Sequence, residues 1–241
     1  MTPATPQEQE YCRVFELIRG DVETAVKSNH TYLTINNLVV ADSELGHKIN
    51  RFPDFWTLNR LALQTTFFIA FGRLFDKRRD AWSVPKLVDE TISKSGLFSK
   101  AQLRERKLRV GLPGPSSIPN WLDESIQGAW EPTATDLVFL KTELEPYCDK
   151  FHAIYAPIRH SYYAHRGKED EGAIAALFSK TQLGEVNEIL RFLYTLVVAI
   201  QELANNGTRP DLTNVRSYEA YVANIKKRTE EFVHTAVAAE R

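Results

Sequence analysis

The sequence is poor in cysteine and contains no long apolar run. Two cysteines, Cys12 and Cys148, stand far apart among 241 residues, which excludes a disulfide framework and a zinc ribbon. The longest apolar runs, 67–71 and 196–200, are far shorter than the roughly 20 residues that a membrane span needs. The residues that follow Met1 are polar and acidic, so no signal peptide is indicated. We therefore expect a cytoplasmic protein with no membrane partner.

The chain also lacks an excess of charge of either sign. Thirty basic and 31 acidic residues give a net charge of −1, so no overall positive field attracts nucleic acid and we expect no DNA partner. A local nucleic-acid site is still compatible with this balance. The 43% hydrophobic and 25% charged fractions are ordinary for a globular protein.

Standard nucleotide, metal and hydrolase motifs are absent, and we predict neither a cofactor nor a metal site. The sequence has no Walker loop and no GxGxxG, HExxH or GxSxG motif. The glycine-rich stretch 111–115 carries prolines where a phosphate cradle needs backbone N–H groups. Cys148 and His152 share a helical face, and His152, His160 and His165 follow within one segment, but neither set matches a recurrent ligand spacing. We interpret Cys148 as a small buried hydrophobe.

Apolar residues recur at helical spacing along most of the chain, and no strand alternation is found. The sequence therefore predicts an all-α bundle of long helices, one domain over 1–241 that ends in an amphipathic helix at 215–241. The glycine- and proline-rich stretch 111–132 predicts an irregular surface connection. The predicted helices cover 7–43, 55–75, 83–93, 99–109, 136–165, 181–205 and 215–241.

Two of these helices carry particular expectations. Helix 55–75, with Asp54 as its N-cap, is apolar on nearly every side, so we expect it at the centre of the bundle. Its aromatic residues Trp56, Phe67, Phe68 and Phe71 are predicted core residues. Helix 181–205 is followed by Gly207, which predicts a left-handed cap.

One short segment, 157–167, concentrates polar chemistry. Its arginines supply fixed charge for a phosphate, its histidines titrate near neutral pH, and its tyrosines offer aromatic faces for a base. Arg159 and His165 are the candidate catalytic residues. The candidate substrate-binding residues are His160, Ser161, Tyr162 and Arg166.

This segment resembles the Arg-x(4–6)-His motif of the HEPN superfamily, with polar His160 after Arg159 and Ala-His-Arg closing at 164–166. The Leu-Phe-Asp sequence at 74–76, before a short helix, is similar to the AbiU-like abortive-infection branch. The resemblance implies a HEPN-like bundle of long antiparallel helices over 7–204. It also implies a metal-independent endoribonuclease with RNA as substrate, acting in phage defence, and an antitoxin as a further candidate partner.

Such cleavage needs a base for the RNA 2′-OH, an acid for the leaving oxygen and positive charge for the phosphate. His165 suits the proton transfers and Arg159 the charge, but six residues place them about 120° apart on a regular helix. Either the helix ends before His165 or the site is completed in another way. The resemblance implies a homodimer with both motifs in one cleft. Its candidate interface residues are Phe151, Ile154, Tyr155 and Ile158, whose alternative place is the bundle's own core.

Structural explanations for the motif are also open. Arg159 could form an ion pair with Asp149 or Glu169. His165 could lie at the end of a helix, where the helix dipole stabilises a protonated imidazole. The same spacing recurs from Arg228 to His234, where two intervening glutamates predict a solvated helix face.

Two alternative functions follow: a non-catalytic HEPN-like module that binds RNA, nucleotide or protein, and an all-α regulatory protein. The basic runs 77–79 and 226–228 are predicted to be solvated, and either is a candidate for guiding RNA.

Overall fold

The computed structural model describes residues 4–109, 120–164 and 181–238, with isolated positions 172, 176 and 179. Within these ranges the chain is helical and contains no strand, which confirms the all-α prediction. The helices are α1 Pro6–Ala41, α2 Ser43–Ile49, α3 Pro53–Leu74, α4 Val84–Ser93, α5 Lys100–Arg109, α6 Asn120–Gly128, α7 Ala134–Lys150, α8 Leu183–Asn206 and α9 Arg216–Ala238, and a 3₁₀ turn lies at Ser95–Phe98.

Helix α7 does not stop at Lys150 but continues into what we call the motif segment, residues 151–164. Wide π-helical turns at Phe151–Tyr155 and Arg159–Ala164 flank a short α-helical stretch at Ala156–Ile158. The predicted helix 136–165 is thus helical throughout its described part, but it is not a regular α-helix.

Helices α1 and α3 form the long antiparallel pair on which the rest of the bundle packs. Arg73 donates to Asp21 at 2.7 Å, while Arg60 donates to Asn36 at 3.4 Å. The residue numbers therefore rise along α3 as they fall along α1. Asn29 of α1 also donates to Asn187 of α8 at 3.2 Å, so α8 packs against α1 as well.

The predicted aromatic core is confirmed. Phe71 is fully buried, and Phe67 and Phe68 are almost fully buried in the main hydrophobic core. Trp56 is buried in a second, smaller cluster, where the ends of α1 and α9 meet α2 and the start of α3. All four aromatic residues lie on α3, so this helix contributes to both clusters.

The expectation that α3 lies at the centre of the bundle because it is apolar on nearly every side is wrong for one of its faces. Its outer face exposes Phe55 by 56%, Leu58 by 66%, Leu61 by 46% and Ile69 by 36%. We call these four residues the outer stripe. They fall on one side of a helix that advances 100° per residue, opposite the buried side that carries Trp56 and Phe67. The apolar composition of α3 therefore reflects a buried face and a second apolar face left uncovered in this chain.

Asp54 is not the N-cap of α3 either. The helix begins one residue earlier than Asp54, at Pro53, with Phe52 in the N-cap position and no side-chain cap bond. Proline suits the first helical position because its missing N–H would be unpaired there anyway. Asp54 instead lies in the first turn, where its charge suits the helix dipole.

The prediction that 111–132 is irregular chain is wrong for its second half, which forms α6. Leu122 is fully buried. The physical reason lies in the placement of the prolines: three precede Asn120 and the fourth, Pro132, follows the helix end, so none interrupts the helix. Residues 110–119 lie outside the described ranges.

The end of α8 matches its prediction. Gly207 adopts the left-handed conformation with φ 62° and donates to Leu203 at 3.0 Å. A Cβ at Gly207 would lie 2.5 Å from the Cβ of Ala129. Glycine is therefore required here both by the backbone conformation and by the close approach of the chain after α6. None of the helices that the structure describes has the length and apolarity needed to cross a bilayer.

Candidate functional site

The motif segment is held against α3 by an aromatic cluster. The Phe151 ring stacks on Phe75 with centroids 4.5 Å apart and meets Phe71 edge-on at 5.1 Å. Tyr155 meets the other side of the same cluster, 5.6 Å from Phe71. Since these rings are almost fully buried, the segment that leads to Arg159 is fixed in position by core packing.

The predicted interface formed by Phe151, Ile154, Tyr155 and Ile158 is therefore wrong. Phe151, Tyr155 and Ile158 are buried in the chain's own core, and Ile154 packs against that core while partly buried. Helical spacing shows that these residues share a face. It does not show whether that face is directed inward or outward, and here it is directed inward.

The π-helical turns on either side of Pro157 explain how a proline fits inside this segment. Proline has no N–H and its ring clashes with the carbonyl four residues earlier in an α-helix. In the first wide turn the Ala156 N–H bonds back five residues, to the Phe151 carbonyl. Such a turn inserts an extra residue and relaxes the crowding. The angle of about 120° between Arg159 and His165 assumes a regular α-helix, which residues 159–164 do not form; His165 itself lies outside the described residues.

The side chain of Arg159 lies directly across Gly72 of α3. A Cβ built on Gly72 would lie 2.0 Å from Cδ and 2.1 Å from Nε of Arg159. Ordinary contact distances for a Cβ are 3.4–4 Å, so no other residue at position 72 leaves room for this arrangement. Sequence reasoning missed Gly72, although an isolated glycine inside a strongly apolar helix is a recognisable sign of close packing.

The Arg159 guanidinium has no protein counter-charge in the part of the chain that the structure describes. Its Nε is buried and has no hydrogen-bond partner among the described residues. No ion pair joins it to Asp149, which was one of the two structural explanations for this arginine; the other, Glu169, lies outside the described residues. A half-buried guanidinium without a carboxylate is suited to bind an anion such as a phosphate.

The residues after Arg159 share its wide turn. His160 is exposed, Ser161 is partly exposed and Tyr162 is 44% exposed. Three of the four predicted substrate-binding residues are thus placed beside Arg159 at the molecular surface. His165 and Arg166 lie outside the described residues, so the pairing of Arg159 with His165 stays a prediction.

Cys148 lies in the last turn of α7 and His152 in the first wide turn, and both are near Lys77. Partial burial raises the pKa of the Cys148 thiol to about 11, with Asp149 adding to the effect. The thiol is therefore neutral at pH 7 and is not a nucleophile. Partial burial and then the charge of Lys77 lower the pKa of His152. Among the described residues, no group of three or more His, Cys, Asp or Glu side chains is placed to hold a metal ion.

The basic run 77–79 is an exposed loop that is held in place by an unpredicted residue. Lys86 of α4 donates its ammonium hydrogens to the backbone carbonyls of Arg78, Arg79 and Ala81. Arg78 also pairs with Asp76 at 3.2 Å. Lys77 is thus presented toward the end of α7 by a loop of defined shape, and no sequence pattern signalled the role of Lys86.

The second occurrence of the motif spacing has no comparable surroundings. Arg228 and His234 are both exposed on α9, which confirms the predicted solvated face. Lys227, in the second basic run, forms only a long contact of 3.9 Å with Glu231. The two occurrences therefore differ in packing, and only Arg159 lies against another helix through a glycine.

The comparisons with known proteins give one match. The profile of the HEPN AbiU2 family matches residues 8–225, which includes α1 to α8, the motif segment and the first part of α9. No curated protein and no solved structure matches the chain. Because the matched range covers most of the sequence and includes Arg159 and His165, the chain belongs to the AbiU2 family of HEPN proteins.

Proposed function

We propose that this protein is a metal-independent endoribonuclease that acts as a toxin in abortive infection. The observation that carries the proposal is the Arg159 guanidinium: it is fixed across Gly72, and no carboxylate neutralises it in the described part of the chain. Membership in the AbiU2 family supports a defence role. The proposed substrate is RNA, because the reaction uses the ribose 2′-OH that DNA lacks.

In the proposed reaction the 2′-oxygen attacks the adjacent phosphorus and the bond from phosphorus to the 5′-oxygen breaks. The products are a 2′,3′-cyclic phosphate and a 5′-hydroxyl end. Arg159 binds the non-bridging oxygens and stabilises their growing negative charge. His165 takes the 2′ proton or supplies a proton to the leaving oxygen. Tyr162, exposed on the same turn as Arg159, offers a ring on which a neighbouring base can stack.

We further propose that two copies pair through the outer stripe of α3. The stripe is apolar and uncovered in the chain, a property typical of interaction surfaces. Gly72 lies three residues after Ile69, the last residue of the stripe, which places it about 4.5 Å along the helix axis and about 60° around it. Arg159, which rests on Gly72, therefore borders the stripe, and a twofold pairing there would bring two copies of the motif segment close together. Each copy would then supply one histidine, giving the reaction both a base and an acid.

The test is cleavage of a single-stranded RNA in EDTA by the wild-type protein and by Arg159→Ala and His165→Ala. We expect cleavage by the wild type, with product ends that carry cyclic phosphate, and at least a hundredfold loss in either variant. The chain offers matched controls at the same spacing, Arg228→Ala and His234→Ala, which should keep full activity because both side chains are exposed on α9.

Equal loss in the control variants, or persistence of cleavage in Arg159→Ala, would contradict the proposal. Binding of RNA without cleavage by the folded wild-type protein would favour the alternative, a non-catalytic HEPN-like binding module. An antitoxin partner fits either outcome, and co-expression that relieves growth arrest is its assay.

A further inference from the structure

A charged pocket lies far from Arg159, where the start of α1 meets α5, α6 and the end of α8. Its volume is about 700 Å³, within the range of small-molecule sites. Glu8 lies 13 positions before Asp21, the residue that contacts Arg73 next to Gly72, so the two sites are separated by about 20 Å along α1. The pocket is lined chiefly by Glu8, Arg106, Lys107, Arg109, Trp121 and Asn206.

Positive charge exceeds negative charge in this pocket. Glu8 is almost fully buried, and a single oxygen of its carboxylate faces two arginines: Arg109 at 2.5 Å and Arg106 at 3.5 Å. Lys107 adds a third cation, which donates to the neutral amide oxygen of Asn206 at 3.3 Å. One carboxylate thus offsets one of three cations among the lining residues, and the remaining charge favours an anion.

The arginines are held so that they cannot turn away from the pocket. Arg106 donates to the carbonyl of Leu97 at 2.7 Å and to that of Ala204 at 2.9 Å. Even so, its second terminal nitrogen and the second oxygen of Glu8 are buried without partners in the described part of the chain. Buried polar atoms are rarely left without partners, and such exceptions commonly mark a missing water, ion or ligand.

An aromatic ring and an amide complete the lining. Trp121 of α6 leaves 54% of its surface exposed although it is a large hydrophobic residue. An exposed indole beside cations is a stacking surface for a flat ring, and such stacking tolerates different bases. Asn206, at the end of α8, also lines the pocket; its amide accepts from Lys107 at 3.3 Å and donates to Glu202 at 2.6 Å.

We propose that this pocket binds a nucleoside phosphate, with its phosphate at Lys107 and Arg109 and its base on Trp121. The surplus charge accounts for the phosphate and the exposed indole for the ring. Neither feature depends on RNA cleavage at Arg159, so nucleotide binding in this pocket can be tested separately from the proposed ribonuclease activity.

The experiment is isothermal titration of the full chain with ATP, adenosine and inorganic phosphate as separate probes. We expect ATP to bind at least tenfold more tightly than either phosphate or adenosine, because only ATP engages both the cations and the ring. Equal affinities for ATP and inorganic phosphate would overturn the nucleoside assignment. Absence of ATP binding would overturn the proposal as a whole.

Three variants locate the binding. Lys107→Ala should weaken ATP about tenfold, the loss expected for one charge-assisted bond. Trp121→Ala should weaken ATP at least fivefold and leave phosphate unchanged. Arg104→Ala is the matched control, since Arg104 lies on the same helix, pairs with Asp123 at 3.1 Å and does not line the pocket.

Thermal melting should show that all three variants fold as the wild type does. Loss of ATP affinity in Arg104→Ala equal to that in Lys107→Ala would show a diffuse charge effect and overturn the site. Unchanged ATP affinity in both Lys107→Ala and Trp121→Ala would overturn it as well.

Discussion

Replacing Gly72 by alanine tests whether the position of the Arg159 side chain matters for activity. The added Cβ would lie 2.0 Å from Cδ of Arg159, whereas ordinary contacts begin at 3.4 Å. The arginine must therefore move by at least about 1.4 Å, and its guanidinium, at the end of the side chain, moves with it. We expect the fold to survive because the obstructing group is a flexible side chain rather than backbone.

The size of the effect follows from this displacement. A misplacement of about 1 Å at a catalytic group can lower a rate by about a hundredfold, which corresponds to about 2.7 kcal/mol in the activation free energy. Stability should change much less, because alanine is favoured over glycine in a helix by up to about 1 kcal/mol and this gain offsets part of the overpacking cost.

The assay compares RNA cleavage and the urea midpoint of Gly72→Ala with those of Gly20→Ala. Gly20 lies within α1 and has no atom within 4 Å of a built Cβ, so its alanine variant should be slightly more stable and fully active. As a readout that does not depend on catalysis, the rate at which phenylglyoxal modifies Arg159 should rise in Gly72→Ala, because the guanidinium leaves its half-buried position. Unchanged cleavage together with an unchanged modification rate would refute the reasoning.

Three further predictions concern stability and assembly. Burial, with a smaller contribution from Lys226, lowers the pKa of His30 from 6.5 to about 4. As the pH drops, the unfolded chain therefore binds a proton at this histidine before the folded chain does. The free energy of unfolding should fall by about 3 kcal/mol between pH 6.5 and pH 4. Urea titrations should show this fall in the wild type and its near absence in His30→Gln. Phe151→Ala should lower the free energy of unfolding by about 3–5 kcal/mol, measured in urea, because it removes a buried ring stacked in the main core. Leu58→Asp should separate the proposed dimer and halve the mass measured by light scattering at micromolar concentration. The control Phe232→Asp, at an equally exposed residue on α9, should leave the mass unchanged. A monomeric mass for the wild-type protein would contradict the proposed dimer.

The sequence was sufficient to predict most of the helices because their periodicity and ends carry local signals. Helix α8 illustrates this, since one apolar stripe and Gly207 specify both its course and its end. The prediction for α6 is wrong because the number of prolines in 111–132 does not show whether they lie inside a helix or outside its ends. Position decides their effect, because proline stabilises a helix start and disrupts a helix interior.

The site was predictable in composition but not in arrangement. The polar residues of 157–167 indicated Arg159 and His160 directly. The position of the guanidinium across Gly72, however, depends on the packing of the motif segment against α3, and Gly72 precedes Arg159 by 87 residues in the chain. The interface prediction for Tyr155 and Ile158 is wrong for the same reason, since their burial is set by which helices pack together and not by their spacing.

The wide turns around Pro157 also link the length of the motif segment to the presence of its proline. A π-helical turn holds one residue more than an α-helical turn, so deleting a single residue from Phe151–Tyr155 would let a regular turn form there. The residues downstream would keep nearly the same direction, but the ring of Pro157 would then clash with the carbonyl four residues earlier. Natural variants of this chain that have one residue fewer between the end of α7 and Arg159 should therefore also lack Pro157.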